Sequence, residues 1–388
     1  MNKKLLAAAV AAAFVASPAA FAESTVYGKM HASIDAIDYE GSNEDNYEVN
    51  SRASRLGFKG SEDLGNGLKA IYQIELGIDI NSSGADGQAS AASSPWGTRT
   101  RNTFVGLSGD WGTFLVGRHD TPAKMAFYAA GNDRLGDSVI DLNLGNNLTN
   151  SPSTNAPIGV FHEYRADDAI AYVSPNFSGF TVVAAMMPGE DNKATTLQTI
   201  GSERDGIGDH YSIGAMYKGN GLRASVGYAN YDLDGPTAVP YSVGTDGADY
   251  EVLQAGASYT MNDFSLGAHY ESSDNVPAGA LAGSPALVGL NIGNEGHDYT
   301  AWAVTGKFTF GNNAISAVYT DAEFEPSVNV AGDFDVERSG WGVAAEHNFS
   351  KRTKVYAAYA SGEDEFGSDL LLEDHDNDVF SLGMIHNF

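Results

Sequence analysis

The sequence predicts an all-β fold, an antiparallel transmembrane β-barrel of about 16 strands with short periplasmic turns and long extracellular loops. Three observations carry this prediction. Apolar side chains alternate with polar or small ones at a period of two, short glycine- and asparagine-rich turns alternate with long polar connections, and no useful helical period follows residue 22. A period of two is typical of strands, because successive side chains point to opposite faces.

The first 22 residues have the pattern of an export signal. Lys3 and Lys4 precede an apolar run that ends near Val15, and Ala20-Phe21-Ala22 offers the small residues that a signal peptidase needs. A short N-terminal membrane anchor is the alternative, but the run is well below the roughly 20 residues that span a bilayer as a helix. We therefore expect residues 1–22 to be removed.

Composition restricts the kind of protein that remains. Loss of the signal leaves 20 basic against 50 acidic residues, a formal charge of −30, and such a surface repels nucleic acid. The chain has 45 glycines and 37 tyrosines and phenylalanines but only 12 prolines, a balance that favours strands joined by tight turns. Because it has no cysteine, no disulfide can support the fold. We expect residues 23–388 to form a single barrel domain.

The last strand illustrates the alternation. One face, which needs an apolar medium, carries Phe380, Leu382, Met384, His386 and Phe388. This strand is predicted to close the barrel by pairing antiparallel with residues 26–36, and Phe388 is predicted to assist assembly.

The connections alternate in length. Tight turns are predicted around residues 219–221, 261–263, 311–313 and 350–353. Long polar connections are predicted near residues 40–50, 81–97, 120–160, 189–209, 233–248, 273–297, 325–337 and 363–376. A soluble β-sandwich or secreted barrel would also alternate, but aromatic residues near the ends of the apolar flanks, and opposite flanks rich in Ser, Thr, Gly, Lys and Arg, favour lipid outside and water inside.

Several short motifs carry a family resemblance. They are Val26-Tyr27-Gly28-Lys29, Arg55-Leu56-Gly57-Phe58-Lys59-Gly60, Thr103-Phe104-Val105-Gly106-Leu107, Val116-Gly117-Arg118, Ser174-Pro175-Asn176-Phe177-Ser178-Gly179-Phe180 and the terminal aromatic strand. Together and in order they resemble the trimeric general-diffusion porins of Gram-negative outer membranes. The resemblance implies a 16-stranded barrel, a homotrimer in the outer membrane and passive diffusion of ions and small hydrophilic solutes. It also implies that the third loop folds into the lumen, which makes residues 120–160 a constriction loop.

The resemblance and the alternation together suggest two opposed rows of charge. Lumen-facing basic side chains are expected at Lys29, Arg55, Arg99, Arg101 and Arg165. Opposing carboxylates on the constriction loop are expected at Asp133, Asp137 and Asp141. Facing rows would set a transverse field across an aqueous gap, although solvated charges without a special role are the alternative. Arg52 has the opposite parity to the basic row and is expected to lie above the membrane.

Two acidic clusters fall in predicted loops. One comprises Glu40, Glu44, Asp45 and Glu48, and the other Glu363, Asp364, Glu365, Glu373, Asp374, Asp376 and Asp378. Their oxygens could bind Ca²⁺ or Mg²⁺ and bridge to lipopolysaccharide, or could be plain solvated loop charges. No ordered calcium-loop spacing is present, and no other cofactor is expected.

The functional alternatives are a sugar- or anion-selective porin and, from another class, an outer-membrane enzyme or adhesin on a plugged barrel. The sequence lacks HExxH, GxSxG, a phosphate-binding GxxxxGK[ST] motif and cysteine. Outer-membrane lipid and lipopolysaccharide are the expected surroundings. Ion preference is a balance between two effects. The excess of acidic residues would enrich cations, whereas the basic row lies where permeating ions are closest. We expect weak cation selectivity, because the acidic excess is large.

Overall fold

The computed structural model describes residues 23–39, 46–80, 100–145, 157–188, 206–232, 249–276, 297–326, 336–366 and 374–388. Residues 1–22, the predicted signal, lie outside these ranges. The strands are β1 Glu23–Tyr39, β2 Asn46–Ser51, β3 Arg55–Gly65, β4 Leu68–Gly77, β5 Thr103–Gly109, β6 Gly112–Asp120, β7 Asn143–Gly145, β8 Phe161–His162, β9 Arg165–Val173, β10 Phe180–Met187, β11 His210–Gly219, β12 Leu222–Asp232, β13 Asp249–Met261, β14 Phe264–Val276, β15 His297–Phe310, β16 Asn313–Pro326, β17 Val336–Asn348, β18 Thr353–Phe366 and β19 His375–Asn387. One helix, α1, spans Pro122–Ala129.

The strands form a closed antiparallel barrel. Each strand pairs with its neighbours along the chain, except that β6 pairs with β9, and β1 closes the ring against β19. Both β2 and β3 pair with β1 and are two halves of one barrel strand, while β7 and β8 form a separate parallel pair in the loop between β6 and β9. The predicted barrel of 16 antiparallel strands is therefore confirmed.

The closing pair follows the predicted direction with a shifted range. Its register runs from Lys29 opposite Asn387 to Tyr39 opposite Asn377, whereas Val26 lies opposite Phe58 of β3. Gly28 and Phe388 exchange two backbone hydrogen bonds of 3.1 Å. The final residue therefore completes the seam of the barrel.

Two kinds of connection separate the strands. Tight turns join β3 to β4, β5 to β6, β11 to β12, β13 to β14 and β15 to β16, and we call the end of the barrel that carries them the short-turn rim. Asn220 and Gly221 both have positive φ, 51° and 80°, as a two-residue turn matching the strand twist requires. Longer stretches of chain join the strand ends at the other rim, so the predicted alternation of turn lengths is present.

The outer surface of the barrel is apolar. Exposed side chains on the strands include Val226, Leu266, Val304, Leu382 and Met384. Aromatic rings pack together near the short-turn rim, where Phe264 and Phe308 stack with their centroids 4.5 Å apart. An apolar belt with aromatic girdles suits contact with lipid. Among the described residues, no helix is long and apolar enough to cross a membrane.

The second barrel strand is interrupted where β2 ends and β3 begins. Ala53 has a φ of 46°, a conformation that L-residues other than glycine rarely adopt, so the chain bends and the side-chain alternation is reset. As a result Arg52 is buried against the inward row of β1, with its Nη2 2.6 Å from Asp35 Oδ2 and its Nε donating to Ser33 Oγ over 3.0 Å. Arg52 therefore faces inward, although its parity in the sequence is opposite to that of Arg55.

The third loop, described as residues 121–145 and 157–164, lies inside the barrel. Its helix α1 begins after Thr121, whose Oγ1 accepts a hydrogen bond from the Lys124 amide, and has proline in its first turn. Apolar side chains of the loop are fully buried between the loop and the wall, namely Phe127, Val139, Ile140, Leu142, Ile158, Val160 and Phe161. The loop is thus a packed element within the lumen, held against the wall.

Candidate functional site: the pore constriction

Serine side chains on three adjacent strands hold α1 against the wall. The Ala123 amide donates to Ser212 Oγ over 3.0 Å. The hydroxyls of Ser225 and Ser258 donate to the carbonyls of Ala126 and Ala130 over 2.6 and 2.5 Å. These bonds give wall partners to backbone groups near both ends of the short helix.

Glycines alternate with these serines and let the helix approach closely. A Cβ added at Gly227 would lie 2.7 Å from Ala123 Cα, and one at Gly214 would lie 2.6 Å from the Pro122 carbonyl oxygen. Further round the wall, Gly340 and Gly342 receive Ile158 and Ile140 in the same way. We call Ser212, Gly214, Ser225, Gly227, Gly256, Ser258, Gly340 and Gly342 the docking track. Sequence reasoning assigned such residues to a watery lumen, but here they form a packing surface.

Gly227→Ala should displace α1 without preventing barrel closure. The new methyl group would overlap Ala123 backbone, and overpacking of this kind typically costs about 1–3 kcal/mol. We expect a lower melting temperature and an altered single-channel conductance in planar bilayers. Gly306→Ala is the matched control, because a Cβ there would meet only Leu266 Cδ2, at 3.6 Å. Wild-type conductance and stability in Gly227→Ala would contradict the docking role.

The C-terminal part of the loop is fastened by polar contacts. His162 donates its amide to Glu271 Oε2 over 3.0 Å, and its Nδ1 lies 2.5 Å from Glu271 Oε1. Gln254 Nε2 donates to both the His162 carbonyl and Glu271 Oε2. Tyr299 donates its hydroxyl to the Val160 carbonyl. The loop is therefore bound to the barrel at both ends, which fixes the position of its acidic face.

Asp137 brings that acidic face to the predicted basic wall. Its Oδ2 lies 2.6 Å from Lys29 Nζ and 3.9 Å from Arg55 Nη1. Its φ of 59° marks a tight turn that aims the carboxylate across the lumen. Burial opposes the charged form, but Lys29 and Arg55 outweigh it and hold the pKa of Asp137 well below its usual range. The carboxylate is therefore ionised at neutral pH and shared between two cations.

The other two predicted loop acids do not reach the wall. Asp141 accepts hydrogen bonds from the amides of Asp137 and Asn143, over 2.6 and 2.9 Å, so it shapes the turn that presents Asp137. Burial, together with Asp137 and Glu163, raises the pKa of Asp141 to about 7. Burial also raises the pKa of Asp133 well above its usual range, with repulsion from Asp141 and Asp137 adding to it.

Two of the remaining predicted wall cations, Arg101 and Arg165, each form an ion pair with a carboxylate of the wall. Arg101 Nε lies 2.6 Å from Glu75 Oε1, and Arg165 Nη2 lies 2.8 Å from Asp120 Oδ1. Arg99 lies outside the described residues. Arg55 differs from Arg101 and Arg165, because its one described acidic neighbour is already bonded to Lys29.

Several residues of the constriction were not predicted. Lys124 Nζ lies 3.0 Å from Glu163 Oε2, which also accepts hydrogen bonds from Tyr128 and Asn143. Glu75 could have been found, because it alternates with the outward Tyr72 and Ile74 on β4. Lys124 and Glu163 lie in a loop without a period, so no sequence signal marks them.

The acidic clusters predicted to bind cations are only partly described. Glu40, Glu44, Asp45 and Glu373 lie outside the described residues. Asp364 is engaged by Arg338, whose Nε and Nη2 lie 2.6 and 2.9 Å from its two oxygens. Within the described ranges, no group of three His, Asp or Glu side chains is arranged to hold a metal ion. Cation binding by these loops stays a prediction.

A closed 16-stranded barrel with an apolar outer belt and a charged, loop-narrowed lumen defines a class, the outer-membrane β-barrel proteins that form pores. Comparison with known families makes the assignment specific. Residues 7–367 match the family model described as Gram-negative porin, and the chain belongs to that family. It is accordingly an integral protein of the outer membrane.

Curated relatives agree with this assignment. The chain is 30% identical over 231 residues to the major outer membrane protein P.IB of Neisseria gonorrhoeae. The aligned region covers 58% of this chain and 56% of that protein. It is 25% identical over 308 residues to an outer membrane porin protein of Bordetella pertussis, and this alignment covers 72% of this chain and 74% of that protein. The match to the Neisseria protein thus spans little more than half of that protein's length.

Solved structures share the fold at lower identity. The anion-selective porin from Comamonas acidovorans superposes with a TM-score of 0.65 at 21% identity, over 95% of this chain and 100% of that one. OmpF of Salmonella typhi, in a complex with daunomycin, superposes with a TM-score of 0.62 at 16% identity, over 94% of this chain and 97% of that one. The trimer form of OmpT from Vibrio cholerae superposes with a TM-score of 0.59 at 17% identity, over 95% of this chain and 99% of that one. At these identities the likeness concerns the barrel architecture.

Proposed function

We propose that this protein is a water-filled channel for the passive diffusion of ions and small hydrophilic solutes across the outer membrane. The observation that carries the proposal is the third loop docked inside the barrel, with Asp137 facing Lys29 and Arg55. A loop that narrows the lumen of an open channel limits the size of the solutes that pass. Charges at that point act over a few ångströms, well within the ~8 Å screening length of physiological salt.

The pore is proposed to work as a homotrimer. Support comes from the family and from the solved trimeric OmpT, which shares the fold. Contact with outer-membrane lipid and lipopolysaccharide is proposed for the apolar belt and the long-loop rim. We propose that transport is passive. Diffusion through a charged aqueous passage needs neither a chemical reaction nor an energy source.

Weak cation selectivity is proposed as the default ion preference. The mature chain has a strong acidic excess, and the basic side chains of Arg101 and Arg165 are each paired with an acid. This pairing reduces the positive field that an unopposed basic row would set at the constriction. Arg55 contributes the least compensated positive charge among these wall residues.

Planar-bilayer recording tests the proposal. Purified protein should give open, salt-dependent conductance in steps of three, and a salt gradient should give a zero-current potential of the sign that cation preference requires. Refolded protein that shows the barrel's circular dichroism but no conductance would exclude a diffusion channel and favour a plugged barrel. A conductance saturated by one sugar or anion would instead support a substrate-selective porin.

A further inference from the structure

A second set of basic side chains lies inside the barrel, on the wall away from Lys29 and Arg55. It lies towards the short-turn rim and beneath the third loop. Lys218 and Arg223 flank the tight turn between β11 and β12 and are opposite each other in the register. Both face inward, because they have the parity of Ser212 and Ser225, which bind α1.

Arg223 and two further cations converge under residues 131–134 of the loop. A Cβ added at Gly131 would lie 2.9 Å from both Cδ and Nη1 of Arg223. Arg134 Nε donates to Thr305 Oγ1 over 2.8 Å, and its Nη1 donates to Ser265 Oγ over 2.9 Å. Lys307 Nζ lies 3.4 Å from the Arg134 carbonyl oxygen. Arg223, Arg134 and Lys307 are therefore brought together by the same short segment of the loop.

Positive charge in this group exceeds the carboxylates near it among the described residues, which are Glu346 and Asp133, the neighbour of Arg134. Glu346 is bonded to two lysines, Lys307 and Lys354. In the described part of the chain, Lys218 and Arg223 have no acidic partner, and the hydrogen bonds of the Arg134 guanidinium go to uncharged oxygens. Like charges directly opposite each other destabilise a sheet, so the Lys218–Arg223 pair is costly in an empty lumen.

The neighbouring groups add hydrogen-bond capacity. Ser316 lies opposite Lys307 in the register, and its fully buried hydroxyl has no partner among the described residues. Arg223 is exposed to the lumen, while Lys307 is partly exposed. A guanidinium presents paired donors that match the oxygens of phosphate or carboxylate, and lysines add mobile point charges.

We propose that Arg223, Lys218, Arg134 and Lys307 form a binding site for small oxyanions, phosphates or carboxylates, on the periplasmic side of the constriction. The site rests on the proposed channel function for its role. An anion leaving the constriction is held there before release, and one arriving from the periplasm reaches it first. The short-turn mouth thereby selects for anions.

Block of oriented channels by inorganic pyrophosphate tests the site. We expect block from the short-turn side at a concentration about tenfold below that needed from the long-loop side, because each charge-assisted contact contributes appreciably to binding. The double variant Arg223→Gln, Lys218→Gln should raise the half-blocking concentration on that side by about tenfold or more. Lys69→Gln is the matched control, because Lys69 faces inward at the same rim but lies opposite Asp63.

A direct binding measurement separates this site from the channel function. Calorimetry of detergent-solubilised wild type should show pyrophosphate binding that the double variant loses and Lys69→Gln retains. If the protein conducts no ions but shows this binding pattern, the channel proposal fails and the site stands. Equal affinity in wild type and double variant, or equal block from both sides, would overturn the site.

Discussion

Asp137→Asn should shift the pore toward anions and raise its conductance. The amide keeps the shape of the side chain but removes the charge that now neutralises Lys29 at 2.6 Å and Arg55 at 3.9 Å. Two cations would then face the narrowest part of the lumen without a counter-charge, where the effective dielectric constant is below that of bulk water. We expect the anion-to-cation permeability ratio, measured from zero-current potentials, to rise by roughly threefold or more.

Asp167→Asn is the control for this change. Asp167 also pairs with an arginine, Arg118, but its side chain is 63% exposed and lies on β9 rather than on the third loop. Exposed pairs of this kind contribute little, so selectivity should stay near that of wild type. Equal shifts in the two variants would mean that total charge, and not the position of Asp137, determines selectivity.

Loss of Phe388 should impair assembly far more than conduction. Its backbone exchanges two hydrogen bonds with Gly28, and its ring covers that glycine, since a Cβ added at Gly28 would lie 2.3 Å from Phe388 Cζ. Deletion therefore removes the two terminal hydrogen bonds of the seam and uncovers Gly28. We expect a severalfold lower yield of folded, heat-resistant oligomer, while the channels that do form keep the wild-type conductance.

Phe349→Ala serves as the comparison for Phe388→Ala. Phe349 is also an exposed aromatic near the short-turn rim, but it follows β17 in the turn to β18 and is not part of the register between β1 and β19. If the seam contact matters, Phe388→Ala should lower the yield and Phe349→Ala should not. Similar losses in both would indicate that aromatic exposure at the rim, rather than closure, is what assembly requires.

The sequence predicted those features that a period of two controls. Strand positions and inward parity placed Lys29 and Arg55 on the lumen face, since a strand leaves only two choices for each side chain. Arg101 also faces inward, but strand parity does not explain it, because Val105 and Leu107 of the same parity are exposed on the outer face. The same reasoning failed at Arg52, because the left-handed Ala53 reverses the parity and no glycine marks the break. Backbone irregularity at an ordinary residue has no local sequence signal.

The loop could be predicted only as a whole. Three aspartates were equivalent candidates in the sequence, and only the folded turn distinguishes Asp137 from Asp133 and Asp141. The docking track was also hidden, because serine and glycine suit a watery wall and a close packing surface equally well. Side-chain size alone could not decide between them without the position of the helix they receive.

The docking track changes where variation in this pore can originate. Each small residue on the wall sets how far the loop stands from it, as Gly227 and Gly342 do for Ala123 and Ile140. Substitutions on strands far from the charged gap would then widen or narrow that gap while leaving its charges untouched. The bore and the electrostatics of the passage are consequently separable traits, encoded on different strands and open to independent adjustment by evolution or by engineering.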